Sequence, residues 1–320
     1  MESSNPGQTG KDRAVKHILD SAEEAGLLKK GMAVVEGTSG STGISLAYQC
    51  RARGYQLHVV MPDDQAEEKR ILLEKLGAKV LVVPVCSIAN KNHYVNRARS
   101  LAQELGGFFV NQFENTANQQ AHYLRTGPEL WAQTGGRIDG FVMSAGTGGT
   151  IAGISRFLKE RDRRIRVLLA DPTGSSLCNK VNHDVCYARQ QSERTIRKHR
   201  YDSIVEGVGL DRITANFAAA RIDAAYQAED QRLVVLAHWL LRHEGLLLGS
   251  STAINLAVLL QALPQFPEAA VLVTVCCDSG QRHLSRFWSP AFLASQGLRW
   301  PQSEEELEAD FSRLFLREIQ

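Results

Sequence analysis

The sequence has no CxxC pair, no histidine–cysteine spacing of the kind that holds a metal, and no large excess of either charge. Its six cysteines, at 50, 86, 178, 186, 276 and 277, are scattered, which excludes a disulfide scaffold of the small secreted kind and a zinc-finger pattern. A net charge of +2, from 37 basic and 35 acidic side chains, argues against nucleic acid held by phosphate contacts. An apolar leader is missing too, because the first ten residues are polar. Reduced, mostly buried thiols in such a chain predict a cytoplasmic protein, with mitochondrial association the alternative. No internal repeat or low-complexity stretch interrupts the pattern. Charge is also absent from Gly245 to Pro267, but Ser250, Ser251, Thr252, Asn255, Gln261 and Pro264 fall within that stretch. It reads as a buried helix, not as a membrane span.

What is present is an ordinary soluble composition in 320 residues, 43% hydrophobic and 22% charged, long enough for one large domain or two smaller units. Apolar runs at Met32–Glu36, Gln56–Met61, Lys79–Pro84, Phe108–Asn111, Gly140–Ser144, Arg166–Ala170 and Ala270–Cys276 read as strands. Helical periodicity marks Ser41–Arg53, Ala66–Leu76, His93–Leu105, Gly149–Lys159 and Gln231–His243. This alternation predicts an α/β fold of two lobes, each a mostly parallel sheet covered by helices. The repeat of the pattern on either side of about Glu114 sets the expected limits: an N-terminal lobe over 1–115, a C-terminal lobe over 116–290 and a tail over 291–320. The basic stretch Arg189–Arg200 reads as a surface insertion, and Ser303 as the cap of an acidic terminal helix.

Ligands in parallel α/β folds bind where strands end and loops lead into helices. Two glycine- and hydroxyl-rich turns take that position here. The first is Glu36-Gly37-Thr38-Ser39-Gly40-Ser41-Thr42-Gly43. Hydroxyls and free N–H groups at a helix start make an anion cup, and without a lysine inside it this is not a Walker loop. The second is Ser144-Ala145-Gly146-Thr147-Gly148-Gly149-Thr150, whose glycines would let the backbone approach a phosphate closely. A dinucleotide-binding turn, with Asp171 as its ribose acid, is the rival reading, but the spacing is not G-x-G-x-x-G.

Amides follow another strand at Asn111-Gln112-Phe113-Glu114-Asn115, and a hydroxyl follows the last at Cys276-Cys277-Asp278-Ser279-Gly280-Gln281-Arg282. At the chain start, Lys11 follows Asn5-Pro6-Gly7 and opens an amphipathic helix running to about Ala25. An amine at the positive end of a helix dipole is disfavoured as an ammonium ion, which suits Schiff-base chemistry.

Taken in chain order from Lys11 to Arg282, the five motifs resemble the pyridoxal-phosphate enzymes of the cysteine synthase and cystathionine β-synthase group, over roughly residues 5–290. The resemblance implies the tryptophan synthase β-like fold and pyridoxal 5'-phosphate as cofactor. Lys11 would be the catalytic residue, joined to the cofactor and then acting as base at Cα. Gly146, Thr147, Gly148, Gly149 and Thr150 would cradle the phosphate, and Ser279 would meet the pyridine nitrogen. Thr38, Ser39, Thr42 and Gln112 would grip the substrate carboxylate, with Gly207 near its amine. Ser41 departs from the family, which commonly has an asparagine there to bond the cofactor's phenolic oxygen.

The implied reaction is β-replacement: O-acetylserine and sulfide give cysteine, in a homodimer that needs no metal, nucleic acid or membrane. Cystathionine β-synthase or serine-type β-lyase activity is the nearest alternative. A catalytically silent protein that keeps the fold is the reading from another class.

Overall fold

The computed structural model describes residues 1–188 and 203–316. Its first sheet contains β1 (Ala33–Gly37), β2 (Gln56–Pro62), β3 (Lys79–Val83) and β4 (Phe108–Phe109), in the order β3-β2-β1-β4. Every pairing is parallel, with Glu36 opposite Val59 and Val34 opposite Phe108. Parallel pairing requires crossovers. These are α2 (Ser41–Arg53), α3 (Glu67–Lys75) and α4 (Tyr94–Glu104), while α1 (Lys11–Glu24) precedes the sheet. Because successive strand residues face opposite ways, Val34 joins a core with Ile18 and Ile44, while Val35 packs with Ala98 and Ala102 of α4.

The second sheet repeats the scheme with β5 (Gly140–Ser144), β6 (Arg166–Pro172), β7 (Ala224–Ala228) and β8 (Leu272–Thr274), ordered β7-β6-β5-β8 and again parallel throughout. Its helices are α5 (Ala117–Ala121), α6 (Gly127–Gln133), α7 (Gly149–Arg161), α8 (Leu177–His183), α9 (Ala215–Ala218), α10 (Asp230–Glu244), α11 (Ser250–Ala262), α12 (Pro290–Ser295) and α13 (Glu304–Phe311). Phe141 and Met143 face one core with Ile151, Ile154 and Val167. Val142 faces the other, with Leu168, Val235 and Ile254. Helices therefore cover both sides, and the strand ends stay free to carry loops.

Several expectations shift. The strand predicted over Phe108–Asn111 stops at Phe109, because Asn111 takes a left-handed conformation at φ 56°. Only Leu272–Thr274 of the run at 270–276 pairs, and β7 had no counterpart among the predicted strands. The uncharged stretch holds α11 and a short turn at Leu263–Gln265 that carries Pro264. Among the described residues no helix is long and apolar enough to cross a membrane. The basic stretch at 189–200 lies outside the described residues.

Residues 1–10 seat on the second sheet's loops, not on the first. The Glu2 N–H donates to the Cys276 carbonyl at 2.8 Å, the Gly10 N–H donates to that of Cys277 at 3.3 Å, and Thr9 pairs with Asp278 as an antiparallel bridge. α1 then crosses to the first core through Val15 and Ile18. Lys11 therefore lies where the two sheets' strand ends face each other.

Candidate active site

The turn before Lys11 is clamped from both ends. Asp12 Oδ2 accepts the Gly7 N–H at 2.5 Å, and buried Arg282 donates to the Gly7 carbonyl. A side chain at Gly7 would collide with the Asp12 carboxyl group. Burial raises the Asp12 pKa, against the opposing pull of its hydrogen bonds from Ser45 and Gly7. The late Ser-Gly-x-Arg motif thus works at a distance of more than 250 residues: Arg282 holds the turn that presents Lys11.

Lys11 opens into a cavity of about 660 Å³ between the lobes. Thr38, Ser39, Ser41, Thr42 and Gln112 line it from the first lobe. Gly146, Thr147, Gly148, Thr150 and Gly207 line it from the second. The structure therefore brings together eleven of the thirteen residues singled out in the sequence. Gly149 instead packs onto Asn118, and Ser279 stands outside the lining, its hydroxyl accepting the Gln281 N–H at 3.3 Å. Ser251, at the start of α11, lines the cavity at that end, its hydroxyl donating to Asp278 Oδ1 at 3.5 Å.

The first turn is shaped by side chains. Thr42 donates to Gln112 Oε1 at 2.5 Å, and Gln112 Nε2 donates to the Gly37 carbonyl at 3.0 Å. Across the cavity, Gly207 adopts φ +77°, and a Cβ there would approach the Ser39 hydroxyl to 3.4 Å. The second turn is shaped by backbone. Gly148 has φ +86°, and a Cβ on it would stand 2.6 Å from the Phe217 backbone. At Gly146 it would run into the Gly207 carbonyl oxygen. Asn118 ties the two turns together, its Nδ2 donating to Thr147 Oγ1 and to the Gln112 carbonyl, each at 2.9 Å.

Sequence reasoning missed a buried chain of charges along the same cavity. Lys69 Nζ lies 3.0 Å from Glu206 Oε2, which also meets His283 Nδ1 at 2.8 Å. The other ring nitrogen of His283 reaches Asp278 Oδ2 at 3.1 Å. Burial opposes charge on Glu206, yet Lys69 and His283 hold its carboxyl far below the usual range. Against the same burial, Asp278 lifts the His283 pKa. The only hint in the sequence was polar residues flanking the glycine of Glu206-Gly207 and the late motif. Cys277, also on the lining, is pushed up to about 12 by burial and stays a thiol. Asp171 is buried, with burial raising it to about 7, and it accepts the Cys178 N–H at 2.8 Å. It is absent from the cavity lining, which removes the ribose role.

The pyridoxal-phosphate dependent enzyme family matches residues 1–278. The chain belongs to that family. It is 45% identical to cysteine synthase 2 of Neurospora crassa, covering 98% of this chain and 71% of the relative. With cysteine synthase 2 of Schizosaccharomyces pombe the identity is 44%, over 95% of this chain and 81% of the relative. Among solved structures, the O-acetylserine dependent cystathionine beta-synthase of Helicobacter pylori superposes with a TM-score of 0.78 at 28% identity, covering 89% of this chain and 87% of that one.

The cavity fits the family's cofactor. A phosphate-bearing aldehyde needs an amine and an anion cradle within one enclosure, and Lys11 and the 146–150 turn share this one. The first N–H groups of α7 have no acceptor within their own helix, and the packed glycines leave no Cβ over them. Thr150 Oγ1 lies 3.2 Å from His122 Nε2. Burial, then nearby Lys11 and Arg13, lower His122 to about 3, so the ring is neutral.

Proposed function

We propose that this pyridoxal-phosphate enzyme is a cysteine synthase that exchanges the acetate of O-acetylserine for sulfide. One observation carries the reading: the Lys11 amine, the glycine cradle and the hydroxyl turn open into one cavity. The cofactor, when bound, supplies an electron sink that makes the substrate's Cα–H acidic and its β-substituent a leaving group. In this reading Lys11 would hold the cofactor's aldehyde carbon and, as a free amine, would take the substrate's α-proton. Gly146, Thr147, Gly148, Gly149 and Thr150 hold the phosphate, with α7 adding its dipole.

Thr38, Ser39, Thr42 and Gln112 hold the substrate carboxylate, and the Gly207 backbone orients its amine. Ser41, on the cavity lining, would face the cofactor's phenolic oxygen. Ser279 lies outside the cavity lining, and Ser251, which lines it, would meet the ring nitrogen in its place. A neutral hydroxyl there would leave the electron sink weak, which would favour loss of the β-substituent. Approach of the first turn to Gly207 would exclude water from the reacting carbon.

The proposed lobes divide near residue 115, with residues 1–10 seated on the second lobe's loops and α12 and α13 joining its core through Leu293 and Leu307, and the reading includes a homodimer in the cytoplasm. Light scattering and cell fractionation check those last two points. Cystathionine synthesis is the second reading, favoured by the likeness to the O-acetylserine dependent cystathionine beta-synthase of Helicobacter pylori. The test is product analysis with purified holoenzyme, O-acetylserine and either sulfide or homocysteine. Cysteine with sulfide, abolished by Lys11→Ala, supports the proposal; turnover with homocysteine alone supports the second reading. Acetate release with neither contradicts both.

A further inference from the structure

Directly beneath the first turn lies a group that the reaction does not use. Glu36, in β1, is completely buried. Its Oε2 accepts the Gln112 N–H at 3.3 Å, and its Oε1 has no partner among the described residues. A buried carboxyl group is costly, and an aliphatic residue would suit the position better if packing were all it did. What it contributes is an acceptor at a place where the chain needs one. Asn111 sits in the left-handed region at φ 56°, which points the following N–H into the interior. Without Glu36 that donor would be buried and unsatisfied.

Gln112 is the junction on which both turns depend. Its side chain closes the first turn through Thr42 and Gly37. Its carbonyl accepts Nδ2 of Asn118 at 2.9 Å and Nδ2 of Asn216 at 3.1 Å, and Asn118 continues to Thr147 in the second turn. A rotation of the 111–112 peptide would therefore disturb both ligand cups at once.

We propose that Glu36 is a positioning residue: its buried carboxyl group fixes the 111–112 peptide so that Gln112 can close the carboxylate turn and, through Asn118, align it with the phosphate turn. The inference rests on the reading of Gln112 as part of the carboxylate grip. Burial pushes Glu36 up to about 8, so near neutral pH it is mostly uncharged and does not repel the anion above it.

Two substitutions of similar volume separate this role from packing. Glu36→Met removes the acceptor, and Glu36→Gln keeps it. In the Met holoenzyme the Gln112 amide should exchange with solvent roughly a hundredfold faster, and KM for O-acetylserine should rise about tenfold with kcat within about threefold. Glu36→Gln should restore both. A Met variant with a protected Gln112 amide and an unchanged KM would overturn the proposal, as would a Gln variant that behaves like Met. If the Met variant does not fold, the unsubstituted enzyme decides, because a Gln112 amide exchanging as fast as exposed loop amides contradicts the assigned bond. Failure of the cysteine synthase reading appears separately, as absent turnover in the unsubstituted holoenzyme, and leaves the exchange measurement intact.

Discussion

The two glycine-rich turns start from the same plan, a buried parallel strand leading into a helix, and end as different instruments. The turn at 146–150 presents backbone, with Gly148 pressed against the main chain of Phe217 and Gly146 against the carbonyl of Gly207. The turn at 38–43 presents hydroxyls, and it is held by side chains: Gln112 from one side and Lys69, whose stem would stand 2.6 Å from a Cβ on Gly40, from the other. Backbone against backbone cannot give way, whereas side chains can swing. A fixed cradle suits a cofactor that stays, and an adaptable one suits a substrate that enters and leaves at every turnover.

The largest expected effect tests the support under the adaptable turn. Glu36 is raised by burial from about 4.5 to about 8, so the folded chain keeps a proton that the unfolded chain gives up. Its contribution to stability is fully present below pH 4.5, declines as pH rises, and is gone above pH 8. Glu36→Gln should flatten that decline by several kcal/mol, read from urea unfolding across the window; an unchanged slope would contradict the burial account.

Next is the rigid turn. Gly148→Ala should cost about 2 kcal/mol and weaken cofactor retention at least tenfold, measured by equilibrium dialysis, since φ +86° and the Phe217 backbone both oppose a side chain. Thr42→Val should be milder, raising KM for the amino acid about tenfold while cofactor absorbance is kept. The smallest effect belongs to Ser41→Asn, at the first position of α2. Stability should stay within about 0.5 kcal/mol and turnover within about threefold. If Thr42→Val released cofactor, or Gly148→Ala raised only KM, the division of labour would be reversed.

Strands with long apolar runs were legible because burial on both faces writes itself into composition, as at Gly140–Ser144 and Gln56–Pro62. Ala224–Ala228 was not: Ala-Ala-Tyr-Gln-Ala has little strand character of its own, and pairing with Leu168–Pro172 makes it a strand. The lysine turn and both anion turns were legible because each is local. Ser251 and Asp278 were hidden for the opposite reason, since they reach the cavity through contacts between distant segments. Likewise, the Lys69–Glu206 pair spans more than 130 residues, and no periodicity announces such a meeting. Arg282 was read as part of a site motif, but its contact is structural, with the carbonyl of Gly7.

Borohydride reduction of the holoenzyme, followed by peptide mass spectrometry, tests the arrangement most directly. Reduction should fix one pyridoxyl group per chain on Lys11, and Gly148→Ala should lower the yield without moving the label. A pyridoxyl group on another lysine, or none at all in cofactor-saturated protein, would contradict the shared cavity on which the proposed chemistry depends.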